Sequence, residues 1–146
     1  MSNNYPVGSH FAGPIKLGAS SMLTSTDIGG ISAAKTLSAD ESNGQTYVLD
    51  LAAGVAITLP APTKGWRTKF IVGATFITTD YVITAATAGQ LQGSITEAGL
   101  VQLIAAADTI NLELATAVIG DWVECSSDGT SIFVAGQTSG ATATPA

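Results

Sequence analysis

From position 46 the chain alternates between apolar and polar residues. Tyr47, Leu49 and Leu51 share one face of a first segment. Val55, Ile57 and Leu59 share one face of a second, with Ala56 and Thr58 opposite. The segments meet at Ala53-Gly54, and the second stops at Pro60. A period of two over this length predicts a pair of half-buried antiparallel strands. The same pattern, after a short start at Thr36-Leu37 and a turn from Asp40 to Gly44, predicts strands near 46–51, 55–60, 68–77, 81–86, 90–95, 99–104, 109–115, 121–126 and 131–135. Turn chemistry separates them: Asn43-Gly44, Pro60 to Gly65, Thr79-Asp80, Gly89, Ala98-Gly99, Gly120 and Asp128-Gly129. Strands at a spacing of roughly 8–12 residues predict an all-β fold, an antiparallel β-sandwich of jelly-roll-like form. Asp128-Gly129 marks the clearest hairpin.

Two segments depart from simple alternation. Residues 99–108, rich in alanine, fit either a strand or a short helix. In Phe70-Ile-Val-Gly-Ala-Thr-Phe-Ile both faces are apolar. That predicts a strand covered on both sides, by a loop of the same chain or by a neighbouring subunit.

The ends differ from the middle. Residues 1–34 repeat Gly, Ser, Pro and Asn, and their apolar residues follow no period. They predict an extended N-terminal arm. The backbone entropy of ordering it exceeds what its apolar side chains return on burial, so a partner is expected to order it. Tyr5, Phe11 and Met22 are its candidate contact residues. Residues 35–135 form the β-sandwich domain, and the Gly/Ala/Thr-rich residues 136–146 read as a flexible low-complexity tail.

Composition narrows the function more than the fold. Charged residues make up only 11% of the 146, so Thr, Ser, Gly, Asn and Gln must carry the surface. Such a surface suits close protein contact, because few charges need desolvating. The net charge is −6 and unevenly placed. All basic residues lie at or before Lys69, and residues 70–146 hold seven acids with no Lys or Arg. A nucleic-acid partner is therefore not expected, and an anionic membrane would be repelled. No apolar run approaches the ~20 residues that span a bilayer. The N-terminus lacks the features of a signal peptide, so synthesis in a reducing cytoplasm is expected.

Candidate chemistry is sparse. His10 is the only histidine and lies in the arm, so a multi-histidine metal site within one chain is excluded. Cys125 is the only cysteine and reads as a small core residue, with Asp121 and Glu124 opposing a lowered thiol pKa. Asp121, Glu124 and Asp128 cluster near one hairpin without the spacing of a calcium loop, and read as solvated turn acids. No phosphate-binding glycine motif occurs. Neither an enzyme, a cofactor nor a small-molecule substrate is expected. Lys64, Trp66, Arg67 and Lys69 form the only basic-aromatic cluster, a candidate docking loop.

Thr36 to Leu49, Ala53-Gly-Val-Ala-Ile-Thr-Leu-Pro-Ala-Pro, Gly65, Phe70-Ile-Val-Gly and Gly120 to Val134 together resemble tailed-phage capsid decoration (cement) and head-fibre proteins. The resemblance covers about residues 36–135 and leaves the arm unmatched. Ile132-Phe133 stands where many relatives carry Trp. It implies a β-sandwich that forms a homotrimer on the capsid exterior and clamps the major capsid protein. The expected function is thus a virion structural protein that stabilises the shell. The alternative is a phage tail or fibre module that binds a host receptor or joins virion parts. A small hydrolase is the third and least supported reading.

Overall fold

The computed structural model describes residues 28–31 and 33–145. The arm expected over residues 1–34, with Tyr5, Phe11 and Met22, falls mostly outside them, and its end enters the fold as the first strand. The strands in chain order are β1 (Ile28–Gly30), β2 (Lys35–Thr36), β3 (Asn43–Leu49), β4 (Ala56–Thr58), β5 (Arg67–Val72), β6 (Tyr81–Thr84), β7 (Leu91–Glu97), β8 (Leu100–Leu112), β9 (Trp122–Ser127), β10 (Ile132–Thr138) and β11 (Ala141–Pro145). No helix occurs among the described residues, so the all-β class is as expected. The strands join one mixed sheet that curls on itself, in the order β1-β3-β5-β9-β10-β7-β8-β6-β4-β2, with β11 on β8.

The first half of the chain winds. β1, β3 and β5 lie side by side in parallel, and β2, β4 and β6 do the same. The chain alternates between these two stacks and lays each turn against the one before. β3 and β4 are the pair expected at 46–60, and the antiparallel expectation is corrected here. They do not pair with each other; each pairs in parallel with the strand one turn away. Residues 50–55 form a bend between stacks rather than a hairpin turn, and the next bend holds them. Gly54 N donates to Thr79 O at 3.2 Å, and Ile77 N donates to Ala52 O at 2.9 Å. The Tyr81 hydroxyl donates to Leu51 O and accepts from Leu51 N. A Cβ on residue 54 would collide with the carbonyls of Thr79 and Asp80, so this stacking requires glycine.

Antiparallel strands complete the fold. β9 pairs with β5 and β10, β7 runs parallel to β10, and β8 pairs with both β7 and β6. In the segment 99–108, Gly99 belongs to the turn and the rest is strand rather than helix, continuous with the strand expected at 109–115. The Asp128-Gly129 hairpin forms as expected, with Asp128 Oδ1 accepting from Thr130 N and Ser131 N. Residues 136–146 differ from the expected tail. β10 runs to Thr138, β11 pairs with Ala107–Leu112 of β8, and Ala141 is wholly buried. A Cβ on Gly140 would run into Thr116. The small residues of this segment serve close approach, which composition does not distinguish from disorder.

One core draws on both stacks. Leu49, Ile57, Leu59, Phe70, Val72, Tyr81, Ile83, Ile110, Leu112 and Val123 are fully buried. Phe76 meets the Tyr81 ring edge-on at 5.0 Å, and Tyr47 stacks on Phe70 at 5.9 Å. The double cover expected over 70–77 is not found among the described residues. β5 stops at Val72, Ile71 is half-buried, and Ile77 is 72% exposed.

Candidate functional site

Alternation along β5 divides the basic-aromatic cluster. Trp66, Thr68, Phe70 and Val72 point inward and are buried; Arg67, Lys69 and Ile71 point outward. Trp66 is 3% exposed, and its indole N–H donates to Ala61 O at 3.2 Å. It belongs to the core rather than to a docking loop. Lys64 is exposed in the turn before it, with its backbone near Gly129. Tyr5, Phe11 and Met22 lie outside the described residues.

Arg67 and Lys69 reach diagonally to β9. The Arg67 guanidinium meets both carboxylate oxygens of Glu124, at 2.7 and 2.8 Å. The Lys69 ammonium sits 4.4 Å from the centre of the Trp122 ring. The cation–π contact therefore forms with Trp122 instead of Trp66. A shallow depression of about 240 Å³ lies beside them, lined by Gly44, Thr46, Arg67, Lys69 and Glu124. Phe133, opposite Ser126 on the same sheet, is 48% exposed. Each cation on this face already has a partner, so the face presents neutralised charge rather than a basic patch.

Several acids of the second half brace turns and bends. Asp121 is buried; its carboxylate accepts from Val118 N, Ser139 N and the Ser139 hydroxyl, and so ties the 113–121 loop to the β10–β11 bend. Asp108 accepts from Gly89 N at 2.6 Å and Asp80 from Leu114 N at 2.7 Å. No group of three or more His, Cys, Asp or Glu side chains converges among the described residues. Cys125 is fully buried, and desolvation, with the Glu124 charge beside it, pushes its thiol up to about 12. It is not a nucleophile at neutral pH.

The Ala98-Gly99 turn forms as expected, and what sequence reasoning passed over is the exposed apolar face of the β7–β8 hairpin that it closes. Glu97 pairs with Leu100 around a two-residue turn, Ala98-Gly99, whose φ values of 46° and 87° fit a type I′ hairpin. Beyond the turn, Leu100, Val101 and Leu103 are 76%, 73% and 76% exposed. Val101 and Leu103 share the outer face with Ala105, while Ile104 turns into the core. β7 lies along one edge of this stretch, and β6 and β11 flank β8 only from Ala107 onward. An extra residue near Ala106, at φ 52°, bends β8 between its two halves. The available signal was the absence of any charge from Ala98 to Ala107 in a segment ambiguous between strand and helix.

No protein-family model matches the chain, and neither a curated protein nor a solved structure matches it.

Proposed function

We propose that this chain is a non-enzymatic virion structural protein that binds the outside of an icosahedral phage capsid as an oligomer and stabilises it. One observation carries the reading: an uncharged β-hairpin edge exposing Leu100, Val101 and Leu103 beside a well-packed core. Monomeric proteins rarely leave such an edge bare, because it invites strand pairing and apolar association. The sparse charge of the whole chain supports the same reading. The capsid setting, the major capsid protein as partner, the trimer and the jelly-roll-like sandwich rest on the family resemblance of residues 36–135. Ligation to the assembled shell alone would raise its stability by mass action.

The test is co-sedimentation of the purified protein with undecorated heads of its parent particle, followed by thermal opening of the heads. Saturable binding and a higher opening temperature are expected, and Leu103→Asp weakens both. The alternative, a tail or fibre module that binds a host receptor, draws on Phe133 and Trp122 on the outer face of β9 and β10. Binding to host cells with none to heads would decide for it.

A further inference from the structure

We infer that two copies of this chain join edge to edge through β8, antiparallel about a two-fold axis at Leu103. This deepens the assembly reading and rests on it for the choice of surface. Among the described residues no strand lies along the second edge of residues 100–106. That edge has no lysine, proline or inward-turned charge to blunt it.

Charge favours a second copy as the occupant. The chain carries a net −6, and residues 70–146 hold acids only, so two copies repel over most approaches. A two-fold pairing sets each residue against a copy of its own neighbourhood, where any charge would face its like. Ala98 to Ala107 carries none.

The strand is also complementary to itself. Centring the axis on Leu103 sets Leu103 against Leu103, and Val101 against Ala105 on both sides, so large side chains meet small ones. Val101 of the second copy then lies at the depression of about 200 Å³ lined by Leu103, Ile104, Ala105, Ala107 and Ala143. The bend near Ala106 limits the ladder to Val101–Ala105. Such an isologous contact closes at two chains, unlike the trimer that the resemblance implies.

The experiment measures the mass of the full chain in solution at roughly 100 µM, a concentration that saturates a micromolar contact, and adds cysteine cross-linking. A two-chain mass is expected, reduced to one chain in Leu103→Lys, with equal thermal midpoints for the two proteins once both are diluted to monomers. Directly opposed residues of antiparallel strands lie about 4.5–5.5 Å apart at Cα, within disulfide reach. Leu103→Cys should therefore form a covalent dimer on mild oxidation, while Ile77→Cys, equally exposed, should not. Buried Cys125 stays silent in both. A one-chain or three-chain mass, or Leu103→Cys cross-linking no faster than Ile77→Cys, overturns the pairing. A monomer that still binds heads through this hairpin would end the pairing and leave the assembly reading standing. A dimer with no affinity for heads would do the reverse.

Discussion

Cys125 faces Thr68 on one side and Val134 on the other, inside three hydrogen-bonded strands. With its thiol pushed up to about 12, it should not react with a thiol reagent in the native protein and should react fully in denaturant. Cys125→Ser places a hydroxyl there and should cost about 1–3 kcal/mol in a denaturation series. Glu41 titrates in the opposite sense. The Lys35 ammonium at 2.8 Å, with Ser38 N and its hydroxyl, holds the Glu41 carboxyl down to about 2. Its unfolded value is about 4.3. Its contribution is therefore complete above that value and is lost as the pH falls toward 2. The side chain is 41% exposed, so solvent screening keeps the contribution below about 1 kcal/mol. Glu41→Gln should flatten the stability profile between roughly pH 5 and pH 2 by that small amount. At this scale the sequence was legible where alternation was heeded. Cys125 follows the inward phase of Val123 and was read correctly as core. Trp66 has the inward phase of Phe70 too, but its three basic neighbours drew attention to charge instead of period.

Strands and their inward faces were also legible. Partners were legible only where a short turn joins them, as at Asp128-Gly129, because alternation records which side of a strand is buried and says nothing of what lies beside it. The pair at 46–60 has the pattern of a hairpin and the pairing of two separate turns. Its bend of residues 50–55 is longer than the two-residue loops that close hairpins, and only the later bend at 73–80 reveals its use. β11 was lost for a different reason: small residues make a weak strand signal, while here they allow close contact. Ending the chain at Thr138 should therefore destabilise it, lowering the thermal midpoint on a scale of about 4 °C per kcal/mol, whereas removing a frayed tail would change nothing. Gly93 offers a sharper test. Its φ is 141°, and a Cβ there would enter the Val134 carbonyl on β10. Gly93→Ala should cost at least ~2 kcal/mol by thermal or denaturant unfolding. Gly44→Ala, with open space around its Cβ, should cost less despite its φ of 77°.

Across the whole molecule, protection should follow position in the sheet. β5, β9 and β10 are flanked by strands on both sides, whereas β1 and β2 end the two stacks. Amide hydrogen exchange should be slowest in the former and fastest in the latter. The amides of Val101, Leu103 and Ala105, which alternation turns away from β7, should exchange quickly in dilute protein and slow down with concentration if the chain pairs through them. The uneven charge has a physical role at this scale too. Asp80, Asp108 and Asp121 lock turns, so part of the negative charge after position 70 is built into the architecture. The wound half carries a consequence for how such a chain changes length. Each turn pairs with the turn before it, and the bend at 50–55 rests on the bend at 73–80. A duplicated stretch of roughly twenty residues can therefore enter as one more turn, lengthening the body along its axis while leaving the antiparallel cap in register. Lineages built on this plan would be expected to differ by whole turns, and a designer could set the reach of the molecule by the same increment.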